Sequence, residues 1–227
     1  MSKILQALDI IKQLCNARQL PNGIYGLGSH PLINSNFVMV DNKFTQLTKQ
    51  NKEEIFEKLF YSRMTTAKSF GELLCFIQKP YKLEMLNFIK HLIDDDKEYN
   101  ELFRHSWQIT EFPHLYKNKD IYYLLSGMKP ELIMTSEELS YLKNLPDNVE
   151  IYRGTQSQKA KIRAFSWTLK KETAEWFANR WKLKGKLYKA KIPKSAIYFY
   201  SNNRKECEVV LNPRKLRFIE EIKQQSL

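Results

Sequence analysis

Residues 149–154 have the sequence Val149-Glu150-Ile151-Tyr152-Arg153-Gly154, and here the spacing of the apolar side chains changes. Val149 and Ile151 alternate with more polar residues, which is the period of two typical of a half-buried strand. Similar patterns predict further strands over residues 162–167, 186–192, 196–200 and 207–212. One helix, predicted over residues 171–183, interrupts them. The C-terminal part of the chain is therefore predicted to form a mostly antiparallel sheet.

The N-terminal part has a different period, because its apolar residues recur at spacings of three and four. This pattern predicts helices over residues 1–15, 51–65, 69–78, 82–93, 97–106, 118–127 and 135–143. A side chain that suits a helix N-cap precedes or opens three of them, at Asn51, Ser69 and Thr135. We therefore expect an α+β protein with a mainly helical region over residues 1–145 and a strand-rich core over residues 146–227.

The positive charge is concentrated in the strand-rich part. Residues 151–227 contain 19 Lys and Arg against 6 Asp and Glu, a net charge of +13, whereas residues 1–150 have a net charge of −1. Clustered cations attract phosphates and release the counterions that condense on nucleic acids. This distribution favours an acidic partner, with a solvated basic face as the alternative.

The cysteines and histidines indicate neither a disulfide framework nor a metal site. The three cysteines are widely and unequally spaced, and the four histidines do not pair at ligand spacing. No apolar run approaches the roughly 20 residues of a membrane-spanning helix, and the first residues lack the apolar segment and cleavage site of a signal peptide. We therefore expect a cytoplasmic protein with no bound metal and no membrane association.

Three short motifs follow one another within the basic part. Tyr152-Arg153-Gly154 lies on the first predicted strand, Phe165-Ser166-Trp167-Thr168 precedes the predicted helix, and Glu206-Cys207-Glu208 begins the last predicted strand. Their order resembles that of the ADP-ribosyltransferases of the arginine-serine-glutamate class, over about residues 149–220. In that class an arginine ends the first core strand, a serine opens the second, and a glutamate begins a later one.

This resemblance implies a fold, a co-substrate and a set of roles. The fold is a mixed β-sheet core with split antiparallel sheets, and the co-substrate is NAD. Glu208 would stabilise the oxocarbenium-like ribose and bind a ribose hydroxyl. Arg153, with Gly154 beside it, would hold the phosphates of the dinucleotide. Ser166 would hydrogen-bond near the nicotinamide ribose and order the glutamate, while Thr168 would contribute to the cofactor site or cap the following helix.

The resemblance also implies the Glu-x-Glu form of the class, because Glu206 lies two residues before Glu208. Both carboxylates would lie on one face of a regular strand. In the class the first glutamate prepares the nucleophile of the acceptor, and two carboxylates this close would raise each other's proton affinity, which suits a general base. The alternative is a solvated carboxylate that balances Arg204 and Lys205.

The loop before the glutamates, residues 198–205, lies where the class has its substrate-recognition loop. Tyr200, Asn203 and Arg204 supply a ring, an amide and a cation, and such groups together suit an unpaired base. We predict Tyr200 as the stacking residue. The alternative is that the aromatic side chains anchor the loop to the sheet.

Together these features predict an enzyme, a mono-ADP-ribosyltransferase that moves ADP-ribose from NAD onto nucleic acid. RNA or single-stranded DNA is the expected acceptor, because a base inside a duplex must first be extruded. Such an activity fits an intracellular toxin or phage-defence effector that an antitoxin or inhibitor protein restrains. Three alternatives stay open: transfer to protein arginine, which Glu206 favours; NAD hydrolysis, with water as the acceptor; and a non-enzymatic, basic nucleic-acid-binding module.

Overall fold

Helices dominate the first part of the chain and strands the second, in a computed structural model that describes residues 1–21, 30–110, 116–156, 161–180 and 185–222. The predicted α+β class is therefore confirmed. The chain divides into two units, Met1–Ser126 and Gly127–Leu227. The expected boundary, at residue 145, lies just before the first strand of the C-terminal sheet, which begins at Asn148. The division between the two units falls earlier, between Ser126 and Gly127.

The first unit consists mainly of helices that bury their apolar faces. These helices are α1 Lys3–Ala17, α2 Lys52–Phe56, α3 Ser62–Met64, α4 Phe70–Cys75, α5 Lys82–Ile89, α6 Asp96–Ile109 and α7 Asn118–Leu125. A π-helical turn over Glu57–Tyr61 joins α2 to α3, so the helix predicted over residues 51–65 is continuous. Phe56, Leu83 and Phe103 are among the fully buried side chains of this unit.

Two of the three predicted caps are confirmed. The Ser69 hydroxyl accepts a backbone N–H of α4 at 3.2 Å, and Thr135 forms a capping box with Glu138. Asn51 occupies the N-cap position of α2, but its side-chain oxygen accepts from the backbone N–H of Thr48 at 2.8 Å. Its amide therefore closes the preceding turn and leaves the helix uncapped by a side chain.

A β-hairpin that the helical pattern did not predict lies within the first unit. Its strands, β1 Phe37–Val40 and β2 Lys43–Gln46, pair antiparallel around Asp41 and Asn42. These two turn residues have φ angles of 47° and 61°, as a type I′ turn requires. Asp and Asn tolerate this left-handed conformation better than most residues, so the Asp41-Asn42 dipeptide was the sequence signal that could have predicted the turn.

His30 is a buried and neutral side chain of the first unit. The backbone N–H of Leu32 donates to Nδ1 of His30 at 3.1 Å. The single hydrogen of the neutral ring is therefore on Nε2, which donates to the carbonyl of Cys15 at 3.0 Å. Burial lowers the pKa of His30 to about 4; the bond to Cys15 opposes the shift, and the cations Lys52 and Arg18 add to it. Folding therefore disfavours the protonated form of this imidazole.

We expect the first unit to lose stability as the pH falls below 6.5. An unfolded histidine gains its proton near pH 6.5, whereas folded His30 does so only near pH 4, so the free energy of unfolding decreases between these values. Urea unfolding at about pH 7 and about pH 5 measures the decrease. In His30→Gln, whose amide has both a donor and an acceptor, the decrease should be smaller. An equal decrease in the variant would contradict this assignment.

The second unit contains an antiparallel sheet. Among the described residues its strands are β3 Asn148–Thr155, β4 Ser166–Thr168, β5 Lys186–Pro193, β6 Ile197–Ser201, β7 Glu208–Leu211 and β8 Arg217–Ile222. Their order is β6-β7-β4-β3-β5-β8, and neighbouring strands pair antiparallel throughout. The expectation of a mixed sheet is therefore wrong, because none of these described pairings is parallel.

The sheet is narrowest between β3 and β4. One described residue pair, Tyr152 opposite Thr168, joins these strands, whereas β3 pairs with β5 along its whole length. Strands β6, β7 and β4 lie on one side of this pairing and β3, β5 and β8 on the other, within a single six-stranded sheet. The split sheets expected from the resemblance are therefore not confirmed, because the described strands of this unit form one sheet.

Three α-helices accompany the sheet in the described part of the second unit. They are α8 Pro130–Ile133, α9 Ser136–Asn144 and α10 Lys171–Asn179. The first two pack on β6, and α10 packs on β3. Residues 181–183 of the predicted helix over 171–183 lie outside the described residues. Over the described ranges of the whole chain, no helix combines the length and apolar character that crossing a bilayer requires.

Candidate functional site

Arg153, Ser166 and Glu208 lie on three neighbouring strands. Arg153 is on β3, Ser166 begins β4, and Glu208 begins β7, and the three strands are adjacent in the order β7-β4-β3. In the chain, however, β5 and β6 separate Glu208 from the other two residues. The pairing of the strands therefore brings the three residues together.

Short hydrogen bonds connect these three residues. The Ser166 hydroxyl donates to Glu208 Oε1 at 2.5 Å, and Arg153 Nη1 donates to the Ser166 carbonyl at 2.6 Å. Hydrogen bonds in which one partner is charged are shorter and stronger than neutral ones. Ser166 therefore holds the carboxylate through its side chain and the guanidinium through its backbone.

Arg153 is a charged group in a desolvated position. Burial lowers its pKa to about 10, and the carboxylate of Glu208 opposes the shift, so the guanidinium remains charged at neutral pH. Its Nε is buried without a hydrogen-bond partner among the described residues. A buried donor left unpaired typically costs about 1–3 kcal/mol. The site therefore contains an unused donor of the kind that suits an anionic ligand.

Gly154 has a packing role next to this arginine. A Cβ atom built at Gly154 would lie 1.8 Å from the carbonyl oxygen of Ala174 and 2.6 Å from the backbone nitrogen of Ala178. Only glycine allows α10 to lie this close to β3. This packing explains why residue 154 is a glycine. The predicted contact of Gly154 with a cofactor stays a prediction.

Thr168 connects β4 to the segment before β7. Its Oγ1 donates to the carbonyl of Glu206 at 2.6 Å and accepts from the backbone N–H of Lys170 at 3.1 Å. The N-cap of α10 is Lys170, and α10 has no side-chain cap. The expectation that Thr168 caps this helix is therefore wrong, because its hydroxyl meets a backbone N–H that precedes the helix.

Glu206 and Glu208 do not share a regular strand. Cys207, between them, has a φ of 47°, and β7 begins only at Glu208. The expectation that both carboxylates lie on one face of a regular strand is therefore wrong. Glu206 Oε2 accepts from Arg204 Nη2 at 3.4 Å. Burial raises the pKa of Glu206, whereas Arg204 and Arg180 lower it, so the cause of the raised pKa differs from the repulsion between carboxylates that we expected.

The segment that leads into Glu208 is strained. Three of its residues have positive φ angles, of 65°, 59° and 47°, at Arg204, Lys205 and Cys207. This conformation costs roughly 1–2 kcal/mol in a residue other than glycine and persists only where the surroundings impose it. The Cys207 thiol lies 3.2 Å from Asn202 Oδ1, and the carbonyl of Cys207 accepts from the backbone N–H of Leu169 at 3.0 Å. These contacts fix the backbone immediately before Glu208.

Tyr200 anchors the predicted recognition loop. It is only 3% exposed, its ring stacks on Tyr141 with 4.6 Å between centroids, and its backbone N–H donates to Met134 Sδ at 3.3 Å. The prediction that Tyr200 stacks on a base is therefore corrected, because its ring is buried. These contacts fit the alternative, in which the aromatic side chains of the loop anchor it to the sheet. Asn203 and Arg204 are exposed on a short 3₁₀ turn.

An aromatic cluster on α10 was not predicted as part of the site. Trp176 is 58% exposed and packs edge-to-face against Phe177, with 4.9 Å between ring centroids. The guanidinium carbon of Arg180 lies 5.6 Å from the centroid of the Trp176 ring. Helical spacing was the sequence signal that could have predicted the exposure of Trp176. Ala174 and Ala178 form the buried face of α10, and Trp176 lies midway between them in sequence, on the opposite side of the helix.

Comparison of the chain with protein-family models, with curated proteins and with solved structures gives no match. Within the described ranges, no three His, Cys, Asp or Glu side chains form a group that would hold a metal ion. The chemistry that we assign to the site therefore depends on the geometry of Arg153, Ser166 and Glu208.

Proposed function

We propose that the second unit cleaves NAD and transfers the ADP-ribosyl group to a nucleic acid, with RNA or single-stranded DNA as the acceptor. The observation that carries the proposal is the hydrogen bond of 2.5 Å between Ser166 Oγ and Glu208 Oε1, with Arg153 bound to the carbonyl of the same serine. The motif order suggests these three residues, and their contact across neighbouring strands supports a common role.

In the proposed reaction, the bond between ribose C1′ and the nicotinamide nitrogen breaks. Its electron pair leaves with nicotinamide, and positive charge develops on the ribose. Glu208 stabilises this charge, as a fixed carboxylate does in glycoside chemistry. The nucleophilic atom of the acceptor forms the new bond to C1′ and loses its proton to a base. Glu206 is our candidate for that base, since burial raises its pKa.

Arg153 is the residue that we assign to the phosphates of NAD. A guanidinium offers paired donors that match phosphate oxygens, and Arg153 already has a fixed orientation because Nη1 is bound to Ser166. Its unpaired Nε marks hydrogen-bonding capacity that the described residues do not use. These features fit an anionic ligand beside the carboxylate of Glu208.

The charge of the C-terminal part supports a nucleic-acid acceptor. NAD needs only a few cationic contacts, whereas residues 151–227 have a net charge of +13. Exposed lysines and arginines occur at separate places in the second unit, at Lys161, Lys170, Lys191, Arg214 and Lys215. A single phosphate backbone would contact several such separated cations at the same time. Transfer to protein arginine is the second candidate, because Glu206 already accepts a hydrogen bond from a guanidinium, that of Arg204.

The experiment supplies NAD labelled in its ADP-ribose part, together with RNA, single-stranded DNA, duplex DNA or a protein extract in separate reactions. We expect released nicotinamide and label in the RNA or single-stranded DNA. Label in protein would select the second candidate, and free ADP-ribose alone would identify a hydrolase. If no nicotinamide is released, the proposal is wrong, and the basic nucleic-acid-binding module takes its place.

A cytoplasmic toxin or phage-defence effector restrained by an antitoxin is the biological role that we propose for the transferase.

A further inference from the structure

Trp176 is a large aromatic side chain on the surface of α10. It is 58% exposed, whereas Trp107 and Trp167 are buried. A single exposed apolar residue is common on protein surfaces, so its neighbours decide whether it has a role. For Trp176 these neighbours are a second aromatic ring and an arginine.

The neighbours of Trp176 restrict its indole ring. Phe177 meets it edge-to-face at an interplanar angle of 77°, and the Arg180 guanidinium lies over both rings, 5.6 Å from the centroid of Trp176 and 5.7 Å from that of Phe177. The backbone of Arg180 is fixed as well, because its carbonyl accepts a hydrogen bond from Gln156 Nε2. Edge-to-face and cation–π contacts each stabilise a defined ring orientation. The cluster is therefore a preorganised aromatic surface with a cation at its side.

One member of this cluster, Arg180, lies near Glu206 of the candidate site. The alanine face of α10 is packed against Gly154, the residue that follows Arg153. Arg180, at the end of the helix, is near enough to Glu206 to lower the pKa of that carboxylate. The exposed ring of Trp176 is thus on the helix that packs on β3, the strand of Arg153, and that ends near Glu206.

The chemistry of the cluster selects among possible partners. An exposed ring with an adjacent cation suits a ligand that combines a flat π surface with a negative charge, and a nucleotide has both. Unpaired bases stack on aromatic side chains whatever their identity, while the phosphates interact with neighbouring cations. The net charge of +13 over residues 151–227 complements such a polyanion.

We propose that Trp176, with Arg180 over its ring, stacks an unpaired base of single-stranded nucleic acid and so positions the strand beside the candidate site. Trp176 thereby takes the role that we first predicted for the buried Tyr200. The positioning of an acceptor rests on the proposed function, whereas the stacking itself requires no NAD. Binding and catalysis are therefore separable in experiment.

The test measures the fluorescence anisotropy of a fluorescein-labelled, single-stranded oligonucleotide of mixed sequence, without NAD, as the full-length protein is added. Trp176→Ala should raise the Kd about tenfold, because it removes one stacked base, and Trp176→Phe should restore most of the affinity. Phe218→Ala is the matched control, since Phe218 is a 78% exposed ring on β8, at the edge of the sheet opposite β6. Its Kd should equal that of the wild type. Thermal melts establish that each variant is folded.

An unchanged Kd in folded Trp176→Ala would overturn this inference, and so would an equal loss in Phe218→Ala. Duplex DNA of the same sequence is a further arm, and its Kd should change less, because its bases are already stacked on one another. A duplex as sensitive as the single strand would contradict base stacking. Failure of the proposed function has a different signature, namely wild-type protein that binds the oligonucleotide through Trp176 but releases no nicotinamide from NAD.

Discussion

Glu208→Gln should lower the rate of NAD cleavage by about 10²–10³-fold, the range found when a preorganised electrostatic group is removed from an active site. The amide retains the shape of the carboxylate, and its oxygen still accepts from the Ser166 hydroxyl, so the hydrogen bond persists. Only the negative charge, which stabilises the developing positive charge on the ribose, is lost. The measurement is the initial rate of nicotinamide release at saturating NAD, for the wild type and the variant.

The control for this variant is Glu220→Gln. Glu220 is an exposed carboxylate on β8, so the same loss of charge occurs away from the strands that carry Arg153 and Ser166. We expect the wild-type rate from it. Glu208 also counteracts the desolvation of Arg153, so thermal melts must show that Glu208→Gln is folded at the assay temperature. A folded Glu208→Gln variant with the wild-type rate would remove Glu208 from the mechanism.

Gly154→Ala should destabilise the second unit by about 3 kcal/mol, at the upper end of the usual effect of overpacking. The new Cβ would lie 1.8 Å from the Ala174 carbonyl oxygen and 2.6 Å from the Ala178 nitrogen. Both are backbone atoms of α10, so no side-chain rotation relieves the overlap. The helix must therefore move away from β3. Urea unfolding of the variant and the wild type measures the effect.

Gly71→Ala is the matched control, and its effect should have the opposite sign. A Cβ at Gly71 in α4 would lie 3.4 Å from Leu102 Cδ2, which is an ordinary van der Waals distance. Alanine in a helix is favoured over glycine by roughly 0.5–1 kcal/mol, so this variant should be slightly more stable than the wild type. Wild-type stability in Gly154→Ala would show that α10 does not pack on β3 as described.

The success of the strand predictions depended on burial. The alternating pattern predicted β3 and β5 nearly to the residue, because their side chains alternate between a buried and a more exposed face. The unpredicted β8 is an edge strand with mostly exposed side chains, and the hairpin of the first unit also exposes Met39 and Phe44. Strands without a buried face leave no periodic signal in the sequence.

The candidate site was partly predictable for a related reason. The types and order of Arg153, Ser166 and Glu208 are visible in the sequence, but their contact depends on strand pairing across β4. The burial of Tyr200 depends on Tyr141, a distant residue on α9. The left-handed backbone of Cys207 has no sequence signal, because cysteine has no preference for positive φ.

The most direct test of the proposed transfer compares two products of one reaction. A single-stranded oligonucleotide is incubated with the protein and NAD, its mass is determined, and the released nicotinamide is quantified. We predict that the oligonucleotide gains the mass of an ADP-ribosyl group, that nicotinamide appears in equal amount, and that both products are lost in Glu208→Gln. Folded wild-type protein that leaves the oligonucleotide mass and the NAD unchanged would contradict the proposal.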